Sequence, residues 1–129
     1  MGIEYREGVV DVEKLAALRA RCDFSPRTLD ELRQHVEGAR WVVSAWDGDE
    51  LVGLARALSD GASTAYVSSV MVDARWRRRG VGREIMRRLM TGRSPRLRWV
   101  LHARDTARDF YRALGFVDAP SMMWCGRDT

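Results

Sequence analysis

The amino-acid sequence predicts an α/β fold, in which a mixed and mostly antiparallel central sheet is flanked by about four helices. Two observations predict it. Helical and strand-like patterns follow each other in the order helix, helix, three strands, helix, strand, helix and a last strand pair. The chain has 129 residues, of which 46% are hydrophobic, which suffices for one core and leaves no length for a second. We therefore expect a single domain over residues 1–129.

Two helices are expected near the N-terminus. Apolar residues at helical spacing predict the first helix over residues 11–20. Thr28 and Glu31 then form a capping-box pattern, in which a hydroxyl and a carboxylate bind the free amides at a helix start. The second helix should end at about Glu37, because Gly38 can supply the left-handed conformation that terminates many helices.

A β-meander is expected next. Strand-like patterns occupy residues 41–46, 51–58 and 64–72. Turn sequences separate them, at residues 47–50 and at Asp60-Gly61. Short connections of this kind join antiparallel neighbours, so these strands should form the antiparallel part of the sheet.

The remaining elements alternate between helix and strand. Helices are predicted over about 80–90 and 106–114, with a short strand around 98–102 between them. The strand–helix–strand unit that ends at this short strand should be a right-handed crossover, which places a parallel strand pair in the sheet. The last strand pair is expected around residues 116–117 and 122–125.

The composition argues against several classes of protein. The longest apolar stretch, residues 66–72, is too short to cross a membrane, and the N-terminus lacks the pattern of a secretory signal. We therefore expect a cytoplasmic protein with no membrane partner. Cys22 and Cys125 stand far apart and outside any metal-type motif, so reduced thiols and no metal site are expected.

The charge is unevenly distributed along the chain. Residues 1–60 hold 8 Lys and Arg against 12 Asp and Glu, whereas residues 61–129 hold 14 against 6. A basic C-terminal half indicates an anionic partner. Nucleic acid, acidic lipid and a phosphorylated cofactor all fit this charge, so the charge alone does not choose among them.

Two glycines at a spacing of two open the helix predicted over 80–90. The free amides at a helix N-terminus form an anion site, and Gly80 and Gly82 let the backbone approach a phosphate closely. A Walker loop is excluded because no Gly-Lys-Ser/Thr ending is present, and a dinucleotide fingerprint because its third glycine is missing. The arginines within residues 75–79 leave a nucleic-acid patch open.

Two segments resemble a known family. Residues 77–82, with the pattern Arg-x-x-Gly-x-Gly, resemble motif A of the GNAT superfamily of N-acetyltransferases, and residues 101–116, which end in Phe-Tyr-x-x-Leu-Gly-Phe, resemble its motif B. Residues 51–60 and 122–124 further resemble a bacterial and plastid branch that includes the plant serotonin N-acetyltransferases. The resemblance covers nearly the whole chain.

The resemblance implies a site as well as a fold. In this superfamily the strand before motif A splays from the next strand, and acetyl-coenzyme A binds with its pyrophosphate on the motif A amides. The pantetheine arm pairs with the strand edge, one amide of that edge stabilises the thioester oxyanion, and a motif B tyrosine protonates the leaving thiolate. Carried over by position, the cofactor-binding residues are Val70, Met71, Val72, Arg77, Arg78, Arg79, Gly80, Val81, Gly82 and Arg83, and the catalytic residues are Val72, through its amide, and Tyr111.

The resemblance does not fix the general base. Many relatives carry a carboxylate on the central strand, and the plant branch has Asp at the position aligned with Ser69, whereas this chain offers only Ser68 and Ser69 there. An alkylammonium ion must lose a proton before it attacks, so Asp60, His102 and an ordered water stay open as the base. Arg104 also stands where many relatives have Asn or Asp.

We therefore predict an acetyl-coenzyme A-dependent N-acetyltransferase that moves the acetyl group to a primary amine by direct attack. The acceptor is expected to be a small amine or a protein amine, and the acidic balance of residues 11–37 favours a cationic one. Two alternatives stay open, a GNAT-fold module that binds coenzyme A without turnover and a basic nucleic-acid-binding domain, although nucleic acid is disfavoured. A homodimer is also left open.

Overall fold

The computed structural model describes residues 2–126 as a five-stranded sheet with helices on both faces. The elements, in chain order, are β1 (Glu4–Glu7), α1 (Val12–Arg21), α2 (Leu29–Glu37), β2 (Trp41–Asp47), β3 (Glu50–Ser59), β4 (Thr64–Val72), α3 (Val81–Met90), β5 (Arg98–Leu101) and α4 (Arg108–Ala113). Short 3-10 turns at Ala74–Trp76 and Asp105–Ala107 lead towards α3 and α4. The predicted α/β class is confirmed.

The sheet is mixed, as predicted. Its strands lie in the order β1-β2-β3-β4-β5, and neighbours are antiparallel except for the parallel pair β4 and β5. The crossover through α3 joins that parallel pair. β1 has no counterpart among the predicted strands, because Glu4–Glu7 holds a single apolar residue, Tyr5. This segment is a strand because it pairs with β2.

The β4–β5 pair opens partway along β4. β5 pairs with β4 only as far as Val67 opposite Leu101, whereas β4 continues to Val72. A bulge marks this point, since the register with β3 shifts after Leu54 and Ser69 has a left-handed φ of 60°. A bulge bends its strand and sharpens the local twist. The predicted splayed pair is therefore present, and the bulge lies where the two strands separate.

Each face of the sheet has its own hydrophobic cluster. α1 and α2 cover one face, where they pack on one set of alternate strand residues such as Val42 and Leu54. α3 covers the other face, where Ile85 and Leu89 pack on the intervening residues such as Val43. Because successive side chains of a strand point to opposite faces, β2 and β3 are buried on both sides and read as continuous apolar runs.

The predicted closing strands are wrong. Residues 116–117 and 122–125 form no strand, and Val117 and Met123 are 86% and 91% exposed. Instead the chain makes local turns, in which Phe116 donates to the α4 backbone and Met122 N–H donates to Ala119 O at 3.0 Å. An apolar run becomes a strand only where a sheet edge can satisfy its backbone groups, and no edge pairs with this segment within residues 2–126.

The predicted left-handed stop at Gly38 is also wrong, since this residue has a φ of −82°. Glycine serves here for a steric reason. A Cβ on Gly38 would lie 2.7 Å from the carbonyl oxygen of Gln34. The end of α2 is therefore set by close approach of the backbone to its own last turn.

Candidate active site

The loop between β4 and α3 presents a run of backbone amides without acceptors. Within residues 2–126 no acceptor is found for the N–H groups of residues 78–80, and the first helical turn leaves those of residues 81–83 without an intrahelical partner. Gly80, the N-cap of α3, has a left-handed φ of 81°, as does Arg78 at 62°. A Cβ on Gly80 would meet no atom within 4 Å, so the loop faces open space. This arrangement fits a bound anion such as a pyrophosphate.

Arg77 is placed differently from the rest of the loop. Its N–H donates to the carbonyl of Ala74 at 3.4 Å, inside the 3-10 turn. Its Nε donates to the carbonyl of Val72 at 3.0 Å. The structure therefore gives Arg77 a bracing position at the end of β4, and its amide does not belong to the open run.

The side chains around the loop are basic. Arg78, Arg79 and Arg83 are exposed and form no ion pair within residues 2–126. The nearest acid on α3, Glu84, is held by two arginines of its own helix, which lower the pKa of its carboxyl to about 2. The positive charge of the loop is thus left available to an anion.

The end of β4 presents a backbone edge that β5 leaves unpaired, although the carbonyl of Val72 accepts from the Nε of Arg77. The N–H of Asp73 donates to the carbonyl of Val52 at 2.8 Å, so Asp73 faces β3. Backbone groups of successive residues in an antiparallel pair point to opposite sides, so those of Val72, and by the same alternation Val70, face the gap left by β5. Met71 belongs to the other set, since its backbone faces β3 and its side chain, 3% exposed, lies in the core.

A buried ion-pair network fixes the point at which β4 ends. Asp73 is 3% exposed and accepts from the Nε of Arg21 at 2.7 Å and from the N–H of Arg75 at 2.9 Å. Hydrogen bonds, chiefly from the side chain of Arg75, hold the pKa of the Asp73 carboxyl well below its usual range. Arg21 also donates to the carbonyl of Leu51 at 2.8 Å. This network went unnoticed in the sequence, although a carboxylate directly after a buried strand is a detectable signal.

Tyr111 lies on α4 with its ring buried. The residue is 9% exposed and packs edge-to-face on Phe110 and Phe116, with ring centroids 5.0 and 5.8 Å away. Its hydroxyl makes no hydrogen bond within residues 2–126. Burial raises the pKa of Tyr111 to about 12, against a smaller lowering by the positive charge of Arg104. The phenol is therefore protonated at neutral pH and free to donate.

Three of the sequence-predicted parts meet at Gly82. A Cβ on Gly82 would lie 3.3 Å from the Cζ of Phe110 and 3.5 Å from the Cγ2 of Val72. The start of α3, the end of β4 and α4 therefore converge at one point. Tyr111 follows Phe110 on α4 and packs in the same hydrophobic cluster as Val72. A side chain here would be in tight contact with Phe110, which would have to move by a few tenths of an ångström to admit even a methyl group.

Asp60 is excluded as the general base. Its carboxylate accepts from the N–H groups of Ala62 and Ser63 in the turn before β4, and the hydrogen bonds from Ser63 above all hold the pKa of this carboxyl well below its usual range. The site lies at the far end of β4, beyond Val72. A strand of nine residues separates the two, which is about 26–30 Å.

His102 stays a candidate base. It directly follows β5, where the splay begins, and its exposed ring lies 4.4 Å from that of Trp124, centroid to centroid. Ser68 and Ser69 accept hydrogen bonds from Arg56 and offer no ionisable group in its place. Arg56 was not singled out from the sequence, although a charge at the centre of the apolar run Leu54–Leu58 was a usable signal.

Neither a metal site nor a membrane span is found in the described part of the chain. Among residues 2–126 no group of three or more His, Cys, Asp or Glu side chains could hold a metal ion. The helices of the same residues are all too short or too polar to cross a bilayer. Cys22 is buried, Cys125 is exposed, and both are free thiols.

Comparisons with known proteins agree on one family. Residues 13–122 match the family described as the acetyltransferase (GNAT) domain. The histone acetyltransferase TAP1 of Glycine max is 31% identical over 134 aligned residues, which cover 91% of this chain. The chain spans only 58% of the length of that relative.

Solved structures share the fold along the whole chain. A GNAT-family acetyltransferase of Streptococcus pneumoniae superposes with a TM-score of 0.82 at 26% identity, over 98% of this chain and 100% of that one. A predicted acetyltransferase of Clostridium acetobutylicum, solved with acetyl-CoA, superposes with a TM-score of 0.72 at 16% identity, over 97% and 96% of the two chains. At that lower identity the likeness concerns the fold alone.

Proposed function

Because this chain belongs to the acetyltransferase (GNAT) domain family, we propose that it transfers the acetyl group of acetyl-coenzyme A to a primary amine by direct attack of the amine on the thioester. The observation that carries the proposal is the convergence at Gly82 of the amide-rich loop, the free edge of β4 and α4. Each of these parts has a separate task in acyl transfer. The predicted acetyltransferase of the same fold that was solved with acetyl-CoA supports the choice of donor.

The loop between β4 and α3 binds the pyrophosphate of the donor. Its consecutive amides from Arg78 to Arg83 supply donors at the positive end of the α3 dipole. Gly80 carries no Cβ that would project into the space where a phosphate must lie. Arg77 contributes by bracing Val72, and its own amide is engaged in the turn.

The free edge of β4 holds the pantetheine arm and the thioester. The backbone of Val72 faces the gap beside β5, where an extended arm can pair with it as an added strand does. The Val72 N–H then donates to the thioester oxygen as negative charge develops there. One such donor contributes about 2.7–4 kcal/mol to the transition state in acyl transfer. Met71 holds this edge in place through its buried side chain.

Proton movements balance the reaction. The C–N bond forms as the C–S bond breaks, and the departing thiolate takes the proton of the Tyr111 hydroxyl. The amine loses a proton to His102 or to an ordered water, because Asp60 lies at the wrong end of β4. The positive charge of Arg104 stabilises the phenolate that Tyr111 leaves behind.

A nucleic-acid function is disfavoured by the arginines themselves. Arg75 is engaged by Asp73 and Glu50, and Arg77 by the carbonyl of Val72. Two arginines of the basic segment that suggested a nucleic-acid patch are therefore engaged in contacts within the protein. A single domain over residues 1–129 and a cytoplasmic location remain predictions, as does the homodimer.

Free-thiol release tests the proposal. The chain is incubated with acetyl-coenzyme A and a panel of primary amines, and we expect thiol release that depends on the amine. In parallel, coenzyme A is titrated into ¹⁵N-labelled protein, and the amide signals of residues 78–83 should shift while those of α2 stay in place. Absence of coenzyme A binding, or shifts confined to other residues, contradicts the proposal.

A further inference from the structure

The sheet face beneath α1 and α2 changes from apolar to charged along β3. Leu54 is a buried core residue, and Arg56, two residues on, points to the same face. Arg56 is half-buried and donates through Nε to Ser69 Oγ at 3.2 Å and through Nη2 to Ser68 Oγ at 3.4 Å. A third, long contact runs from Nη1 to the carbonyl of His35 at 3.5 Å. Every one of these acceptors is neutral, so none of them cancels the charge.

Arg19 of α1 and Arg27, which directly precedes the N-cap of α2, lie close to His35 as well. Burial, followed by the charges of Arg56, Arg19 and Arg27, lowers the pKa of His35 to about 4. His35 is therefore neutral at pH 7, with three arginines and one opposing acid, Glu31, close to it. The Nε of Arg27 is buried without a hydrogen bond to any of residues 2–126, and the ion pair of this side chain with Glu31 is long, at 3.8 Å.

Arg104 extends the positive region to the catalytic tyrosine. Its guanidinium carbon lies 4.6 Å from the ring centroid of Phe24, and that of Arg19 lies 5.2 Å from the same ring. Arg104 is also close enough to Tyr111 to lower the pKa of the phenol. Phe24, in the α1–α2 connection, thus links the arginines of α1 with the residue that protonates the thiolate.

Of the N-terminal carboxylates, Glu31 lies beside Arg27, at 3.8 Å, whereas three others make contacts elsewhere. Asp11 caps α1, Asp30 is bound by Arg33, and Glu50 is bound by Arg75. Part of the acidic balance that favoured a cationic acceptor is therefore used in caps and surface ion pairs. Between residues 2 and 126 neither Arg56 nor Arg104 has an ion-pair partner. A half-buried guanidinium without a counter-charge is costly, and a bound carboxylate or phosphate offsets that cost through paired N–H···O bonds.

We infer that the acceptor is a small amine that also carries a carboxylate or a phosphate, and that Arg27, Arg56 and Arg104 bind this anionic group while the amine reaches the thioester beside Tyr111. The inference rests on the proposed function and names the substrate class of the same site. It replaces the cationic acceptor expected from the sequence.

Matched pairs of amines test the inference by steady-state kinetics. An α-amino acid is compared with its amide for the carboxylate arm, and phosphoethanolamine with ethanolamine for the phosphate arm, with spermidine as the cationic comparison. We expect the anionic member of at least one pair to have a kcat/KM about 10- to 100-fold above its neutral partner, as hydrogen bonds to a charged group allow. The pair in which the anionic member is preferred shows whether the bound group is a carboxylate or a phosphate.

Variants connect the preference to the arginines. Arg56→Gln should raise the KM for the anionic amine about tenfold or more and leave the KM for the neutral one unchanged, and Arg56→Lys should restore part of the loss. Arg104→Gln, at an exposed position, should also raise the KM for the anionic amine. It replaces the test at Arg56 if Arg56→Gln fails to fold. Arg33→Gln removes an exposed arginine of α2 and serves as the control that changes neither value.

The outcomes separate the two proposals. Equal or better turnover of neutral or cationic amines, with acetyl-coenzyme A binding intact, overturns this inference alone. If no amine is turned over, calorimetry of the same pairs on the coenzyme A-loaded protein decides, because tighter binding of the anionic member supports the inference and its absence overturns it. Loss of acetyl-coenzyme A binding overturns the proposed function and this inference with it.

Discussion

Replacing Tyr111 by Phe isolates one oxygen atom of the proposed mechanism. The ring packs against Phe110 and Phe116, and a phenylalanine keeps these contacts. The hydroxyl has no hydrogen-bond partner within residues 2–126. We therefore expect the free energy of unfolding to change by no more than about 0.5 kcal/mol, as for substitutions that disturb no packing or buried partner.

The kinetic effect should be far larger than the effect on stability. With a pKa of about 12, the phenol lies about five units above neutral pH, so only about one molecule in 10⁵ is ionised. A positioned general acid contributes about 10²- to 10⁴-fold, or about 2.7–5.4 kcal/mol. Because Tyr111 is 9% exposed, water has little room to replace the lost hydroxyl. We expect kcat to fall at least about 100-fold, with the KM for acetyl-coenzyme A nearly unchanged.

The assay is thiol release measured from about pH 6 to about pH 10, in which an acid of such high pKa stays protonated throughout. Tyr5→Phe is the matched control, since it makes the same change on β1, at the opposite edge of the sheet from β5. Wild-type kcat retained by Tyr111→Phe across this range would refute the role of the hydroxyl. A wild-type to Tyr111→Phe rate ratio that rises tenfold per pH unit across this range would instead identify the tyrosine as a base, because the titration of the amine cancels in that ratio.

Three further changes test how the site is held. Gly80→Ala places a side chain at a φ of 81°, so we expect a loss of about 1–2 kcal/mol in stability, read by urea unfolding, and weaker acetyl-coenzyme A binding by calorimetry, because the methyl enters the open space before the loop. Asp73→Asn should make the free energy of unfolding depend less on pH in the acid range. The pKa of Asp73 is lowered on folding, so its contribution is full above the unfolded value of 3.8 and is lost as pH falls towards the folded pKa, and a variant that keeps the wild-type pH dependence would contradict this. Thr28→Ala removes the capping box with Glu31 and should cost about 1 kcal/mol, seen as a drop of a few degrees in Tm without loss of coenzyme A binding.

Local signals in the sequence predicted most of the elements. The capping box at Thr28 and the meander of β2, β3 and β4 follow from short-range rules, because hydroxyl capping, turn residues and alternation act within a few residues. The glycine pair at Gly80 and Gly82 predicted the start of α3 and its open amides for the same reason, while anion binding there stays a prediction. β1 escaped notice because pairing with β2 orders it, and the closing strands were wrong because no sheet edge receives them.

The sequence by itself determined the class of fold, the family and the segments proposed to bind the cofactor, since each depends on residues close together in the chain. Only the tertiary structure decided what surrounds the proposed acceptor site. Arg27, Arg56 and Arg104 come from three separate segments, and among residues 2–126 neither Arg56 nor Arg104 has an ion pair, whereas Asp30 and Glu50 are paired with Arg33 and Arg75. Electrostatic interactions depend on distance and burial in space, which a count of charges along the chain does not contain.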